Sequence, residues 1–238
     1  MTIFCVILFA VGFETTAPAN ALSVLHAKRE GIKNYSILTS HVLVPPAIEA
    51  IVNDQTNIVQ GFLAAGHVCT IMGIGDYYPL VEKNKLPIVI TGFEPVDLLQ
   101  GITMLIKQLE NGEHKLENQY SRVVKPEGNP EAVKVIEQVF EITHRDWRGI
   151  GEIPYSGYEV RKELEAYNAN VKFDIQLEKA EESPDCIAGE ILRGIKKPNQ
   201  CPQFGKRCTP LNPLGAPMVS SEGACAAYYH FSNVDVLV

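Results

Sequence analysis

Six cysteines stand in a chain of 238 residues, and four of them, Cys186, Cys201, Cys208 and Cys225, fall in its last quarter. Four thiolates suit either a zinc ion or a [4Fe–4S] cluster. The intervals are Cys186-x14-Cys201-x6-Cys208-x16-Cys225. The tight C-x2–4-C knuckle that presents two sulfurs to one small zinc ion is absent, as is the radical-type C-x3-C-x2-C pattern. A cubane is larger and its corners lie apart, so its ligands can come from separated loops. Pro202, Gly205, Pro210, Gly215 and Gly223 let backbone pass close to such a core, and turn N–H groups there can donate to cluster sulfur. Spacing leaves three readings open: a cluster, a zinc ion, and cysteines that are unligated or paired by oxidation. Cys5 and Cys69 lie inside apolar stretches and read as small buried hydrophobes.

A second set of reactive residues falls at the ends of apolar runs. FAV leads into Gly12-Phe13-Glu14 before one helical stretch, and VIT leads into Gly92-Phe93-Glu94 before another. Both place a glycine turn and a carboxylate at the carboxyl edge of a strand, where open α/β sheets put their ligand sites. Glu14, Thr15 and Thr16 sit where free N–H groups and the helix dipole favour an anion, or where a threonine simply caps the helix. Glu94, followed by Pro95, reads as a helix-start residue. His67, after Gly66, is a candidate proton donor or orienting group in the same cleft, against the plainer reading of a structural histidine. His41 lies beyond the second strand and is the weaker candidate. Glu222, close to Cys225, reads equally as an ion-pair or turn residue and as one with a redox role, and Arg193 either neutralises charge at the cysteine site or only solvates the surface.

The elements that must position these groups alternate. Residues 2–11 form a continuous apolar run, the pattern of a strand buried on both faces. Ala17 to Arg29 reads as a helix, Tyr35 to Thr39 as a strand, Pro46 to Val52 as a short helix and Asn57 to Leu63 as a strand. Pro87 to Thr91 is a fourth strand. Pro95 to Glu110 is a helix with Val96, Leu99, Ile102, Leu105, Ile106 and Leu109 along one face. Asn111 to Asn129 reads as a loop, Glu131 to Thr143 as a helix with Val135, Ile136, Val139 and Ile142 inward, and Trp147 to Pro154 as turns. The pattern predicts an α/β fold, an open and mostly parallel sheet with helices on its faces. It divides at 1–145, carrying the strand-GFE-helix motifs, and 146–238, a turn-rich segment. From Gly189 onward glycine and proline recur at nearly every turn, so this tail needs docking or a metal staple.

Composition narrows the function. A net charge of −7 argues against nucleic acid or an anionic membrane as the main partner. The apolar run from Ile3 to Val11 is about half of a bilayer span and lacks the flanks of a signal peptide. A cytoplasmic protein with reduced thiols is expected. A doubly wound nucleotide-binding enzyme is disfavoured, because Gly12-Phe13-Glu14 lacks the glycine spacing a pyrophosphate needs.

The longer strings resemble the HypD family of hydrogenase maturation factors. They are Gly12-Phe13-Glu14-Thr15-Thr16-Ala17-Pro18, Gly66-His67-Val68, Leu86-Pro87-Ile88-Val89-Ile90-Thr91-Gly92-Phe93-Glu94-Pro95-Val96-Asp97, Cys201-Pro202-Gln203-Phe204-Gly205-Lys206-Arg207-Cys208-Thr209-Pro210 and Met218-Val219-Ser220-Ser221-Glu222-Gly223-Ala224-Cys225-Ala226-Ala227-Tyr228-Tyr229. The resemblance implies a [4Fe–4S] protein with Cys186, Cys201, Cys208 and Cys225 as ligands. It implies work with the small chaperone HypC and the cyanide donor HypE in assembling the Fe(CN)2CO unit of [NiFe]-hydrogenase. The cluster would relay electrons toward a thiol pair and the iron under construction. Relatives usually carry a second cysteine where Ala188 stands. The family's N-terminal Met-Glu-Val-Cys-Gly-type segment and Cys-Pro-Val-Cys pair have no counterpart here, so the chain reads as the C-terminal two-thirds of such a protein. It is expected to be an incomplete redox scaffold rather than a stand-alone enzyme, binding neither nucleic acid nor membrane. The alternative is a structural zinc-binding interaction module.

Overall fold

A computed structural model describes residues 4–175 and 182–232. The chain is α/β and divides into two compact units. One comprises Met1–Glu49, Gln60–Arg145 and Pro154–Leu177, the other Ala50–Val59, Asp146–Ile153 and Glu178–Val238.

The first unit opens with strand β1 (Val6–Gly12) and helix α1 (Ala17–Arg29), followed by strand β2 (Tyr35–His41), which runs parallel to β1 with Val6 opposite Tyr35 and Gly12 opposite His41. Helix α1 begins with Pro18 in its first turn and buries Ala17, Ala21 and Val24. Small residues on that face let it lie close to its neighbours. Its core partners include Ile37, Ile136, Val139, Phe140 and Tyr158. Gly12 has φ +150°, and a Cβ there would stand 2.3 Å from Oγ1 of Thr16, so the turn from β1 into α1 needs glycine. Helix α2 (Val44–Asn53) follows β2.

A three-stranded parallel sheet comes next, ordered β3 (Phe62–Ala65), β4 (Ile88–Thr91), β5 (Leu116–Asn118). Helices α3 (Gly66–Met72) and α4 (Tyr77–Asn84) lie between β3 and β4 in sequence, and α5 (Pro95–Glu110) between β4 and β5. All four residues of β4 are buried, as a central strand requires. Helix α6 (Pro130–Val139) is capped by Asn129, whose side chain accepts from the N–H of Ala132. Strands β6 (Phe140–Trp147) and β7 (Gly151–Val160) form a two-stranded sheet, and α7 (Ala169–Lys172) follows them.

Besides the end of α2, the end of β6 and the start of β7, the described residues of the second unit form the short helices α8 (Ala188–Leu192), α9 (Ala216–Val219) and α10 (Ala224–Phe231). Its core is Cys208, Met218, Cys225 and Ala226, with Ile191, Phe204 and Leu214 packed against them. Arg193 ties the unit's first segment to its last, donating to Asp54 Oδ2 at 2.9 Å and Thr56 Oγ1 at 3.2 Å.

Several sequence expectations fail. Strand β1 is not buried on both faces: Ala10 is buried, while Phe9 is 63% exposed and Cys5 is exposed as well. The strand pairs with β2, and among the described residues no second strand covers its other edge. The apolar stripe of α5 also faces outward, with Val96, Leu99, Ile102, Ile106 and Leu109 exposed. The polar side holds the helix instead. Gly101 lies so close to Thr91 that a Cβ would meet its Cγ2 at 2.7 Å. Asp97 and Gln108 are buried, and Gln108 bridges the N–H of Lys115 and the carboxylate of Glu117. The third strand starts only at Phe62, a short strand lies inside the expected loop, and α6 stops at Val139, leaving Ile142 exposed on β6.

Candidate functional site

Cys186, Cys201, Cys208 and Cys225 line one cavity of the second unit, together with Phe204, Leu214, Met218 and Gly215. Separate short segments deliver them. Cys225 sits in the first turn of α10, Cys186 just before α8, and Cys201 and Cys208 on either side of a turn in which Gly205 takes φ +68°. Cys208 and Cys225 are buried, and Cys186 and Cys201 are half-buried. Burial, and then the neighbouring thiols Cys208, Cys186 and Cys201, push the Cys225 thiol up to about 11. Burial also raises Cys186, against a hydrogen bond from the Ala188 backbone. The N–H of Leu214 points at Cys208 Sγ at 3.5 Å. Gly215 packs against Cys186 so closely that any Cβ would overlap the sulfur. Among the described residues, no three cysteine, histidine or carboxylate groups are drawn together as one metal ion requires. The thiols surround a space rather than meet at a point.

The strand-end residues of the first unit separate into two places. Glu14 is 2% exposed, with Oε1 accepting the N–H of Val44 at 2.8 Å and Oε2 without a partner. Burial pushes its carboxyl up to about 7, against its own and the Val44 N–H groups, and with Asp76 adding to the rise. Thr16 Oγ1 lies 3.2 Å from Nε2 of His41, and Asn20 Nδ2 lies 3.0 Å from the same nitrogen. Thr16 is at the N-cap position but makes no side-chain cap bond; its hydroxyl donates to the Phe13 carbonyl. Thr15 is half-buried. His41 is fully buried, and burial followed by the charge of Arg145 lowers it to about 4, so it is neutral at physiological pH. His67 is elsewhere: it is exposed and its ring lies 4.7 Å from that of Phe93, with no hydrogen bond or ring contact to Glu14, Thr15 or Thr16.

The second glycine–carboxylate motif works differently from the first. Glu94 is the exposed N-cap residue of α5, and the buried carboxylate there is Asp97. Both oxygens of Asp97 take the guanidinium of Arg122, at 2.7 and 2.6 Å, and Gln119 donates at 2.9 Å. The Arg122 and Gln119 hydrogen bonds hold its carboxyl below the usual carboxylate range. Sequence reasoning missed Asn20 and undervalued His41; the pairing of Gly12 with His41 across β1 and β2 is what brings the imidazole to Thr16.

The profile described as "Hydrogenase formation hypA family" and named HypD matches residues 4–232. The chain belongs to the HypD family. It is 42% identical over 235 residues to the hydrogenase maturation factor HypD2 of Bradyrhizobium diazoefficiens, covering 96% of this chain and 62% of that protein. It is 44% identical over 234 residues to the hydrogenase expression/formation protein HupD of Azotobacter chroococcum, and 43% over 233 residues to the HypD of Rhodobacter capsulatus, with the same coverage of each. The chain thus spans about 62% of the length of these relatives. Among the described residues, no helix is long and apolar enough to cross a membrane.

Proposed function

We propose that this HypD-family chain is the iron–sulfur-binding portion of a cytoplasmic hydrogenase maturation scaffold. The observation that carries the reading is the gathering of Cys186, Cys201, Cys208 and Cys225, remote in sequence, around one cavity. The donor set fits a [4Fe–4S] cluster: four thiols, a glycine where any side chain would collide with a sulfur, and backbone N–H groups near Cys186 and Cys208.

When bound, the cluster supplies one-electron transfer to and from the maturation chemistry. The chain's own residues do the rest. The four cysteines give up their protons to become ligands, so loading releases acid. Phe204, Leu214 and Met218 keep water from the sulfurs, and Leu214 N–H orients Cys208. The cargo of the complete assembly is the Fe(CN)2CO unit, taken up with HypC and with cyanide from HypE as protein partners. The names of the relatives, hydrogenase maturation factors, support that setting.

Anaerobic purification and reconstitution test the reading. A brown protein with roughly four iron and four sulfide per chain, and a paramagnetic signal on reduction, is the expected result. Colourless protein carrying one zinc and no iron would replace the cluster by a structural zinc module. Co-purification with HypC and HypE tests the partners separately.

A further inference from the structure

Between Glu190 and Glu222 the chain carries five basic residues and no acidic one, against a net charge of −7 overall. Ion pairs occupy three of the five: Arg193 with Asp54 at 2.9 Å, Lys196 with Glu190 at 2.6 Å and Arg207 with Asp185 at 3.0 Å. Lys197 and Lys206 are exposed and make no ion pair among the described residues. Arg207 is exposed too, and a surface pair of this kind is weak enough to exchange its carboxylate for a partner's. The placement of these charges matters more than their number. Lys206 and Arg207 sit in the turn that joins Cys201 to Cys208, where the N–H of Phe204 donates to the Cys201 carbonyl and the N–H of Cys208 to the Gln203 carbonyl. Gln203 and Phe204, from the same turn, line the cysteine cavity, and Cys201 is only half-buried. Lys197 caps the short 3-10 turn that ends at Cys201, so the two free lysines flank that cysteine along the chain. One wall of the cavity therefore carries thiols and apolar lining inside and positive charge outside. Leu211, 99% exposed, stands on the next turn, which Asn212 fastens to the Arg207 carbonyl at 2.7 Å.

We propose that this face receives an acidic protein that carries one electron, its carboxylates meeting Lys197, Lys206 and Arg207 and its apolar contact made by Leu211. The proposal rests on the cluster reading above. A carrier seated here is separated from the cavity by a single turn of chain, with Cys201 the shortest way through, and opposite charge guides it to that place. One electron leaves the reduced carrier and enters the cluster; no bond forms or breaks. Nucleic acid is the poorer occupant, because its affinity grows with each phosphate neutralised and two free lysines neutralise few.

The test uses the full chain, reconstituted with iron and sulfide and kept anaerobic. A plant-type ferredoxin serves as the acidic carrier, and cytochrome c, a basic protein, as its charge-reversed counterpart. Calorimetry follows binding, and freeze-quenched paramagnetic resonance follows the electron. Ferredoxin is expected to bind at about 20 mM salt and to lose affinity about tenfold at about 300 mM; cytochrome c is expected not to bind. Lys197→Glu combined with Lys206→Glu is expected to weaken ferredoxin binding about tenfold and to slow reduction by a similar factor, with iron content unchanged. Lys125→Glu, which reverses an exposed charge of the first unit, is expected to alter neither. The proposal is overturned if the double variant binds ferredoxin as the parent does, if Lys125→Glu weakens binding equally, if cytochrome c binds as well as ferredoxin, or if ferredoxin binds without passing its electron. Protein that takes up no iron defeats the cluster reading and this proposal with it; full iron with no ferredoxin binding defeats this proposal alone.

Discussion

A Cβ placed on Gly215 would stand 2.2 Å from Sγ of Cys186, so the segment before α9 and the segment before α8 approach as closely as backbone allows. Nothing but glycine fits between that sulfur and the chain beside it. Gly215→Ala is therefore expected to push Cys186 out of position. Overpacking of this kind costs about 1–3 kcal/mol, which corresponds to a fall in Tm of roughly 2–10 °C. Calorimetry measures the loss, and iron bound after reconstitution should fall with it.

The cysteines divide by place. Serine at Cys186, Cys201, Cys208 or Cys225 is expected to lower reconstituted iron, because each thiol lines the same cavity. Cys5→Ser and Cys69→Ser should leave it unchanged. Cys5 is exposed on the first unit, and Cys69 is a buried thiol of α3 that burial raises to about 11. Iron and sulfide assays on the six variants check this, and full iron in any of the first four would remove that residue from the ligand set.

Glu14 and His41 make stability depend on pH in opposite senses. Glu14 has its folded value raised to about 7 from an ordinary 4.5, so its contribution is complete below pH 4.5 and is lost as pH rises through 7. His41 is lowered to about 4 from 6.5, so its contribution is present above pH 6.5 and is lost as pH falls through 4. Between pH 4.5 and 6.5 the two slopes oppose each other. Glu14→Gln removes one of them. Its stability relative to the parent is expected to improve by about 3 kcal/mol between pH 4.5 and 7. Urea midpoints at closely spaced pH values measure the difference, and parallel curves for the two proteins would contradict the burial of an ionisable Glu14.

Gly101→Ala is expected to destabilise the protein even though alanine is the better helix former by about 1 kcal/mol. The added methyl would meet Thr91 at 2.7 Å on the central strand. A net loss of about 1–2 kcal/mol follows. Thermal denaturation checks the sign, and a stabilised variant would mean that α5 lifts readily from β4.

The regular elements were legible where local chemistry and packing agree. The spans of α1 and α5 match their sequence patterns, and each carries a proline in its first turn, Pro18 and Pro95. Parallel β1–β2 and β3–β4 pairing follows from strands separated by helices. The four tail cysteines were read as one group, and they line one cavity. Other features depend on tertiary partners that no local pattern carries. The side of α5 facing the sheet is set by Gly101, Asp97 and Gln108, whose partners Thr91, Arg122 and Glu117 all lie outside the helix. Residues 140–143 continue the apolar spacing of α6, yet the chain turns extended at Phe140, where β-branched Ile142 and Thr143 suit a strand. His41 could not be valued beforehand, because its partners Thr16 and Asn20 become neighbours only through the β1–β2 register.

The outward stripe of α5 also governs how concentrated solutions of this protein behave. Sulfate and similar salts strengthen contacts between apolar surfaces, and Val96, Leu99 and Ile102 offer such a surface on a helix fastened from behind by hydrogen bonds. Salting-out should therefore join folded molecules along this face before it disturbs any one of them. The precipitate should redissolve on dilution with its secondary structure intact.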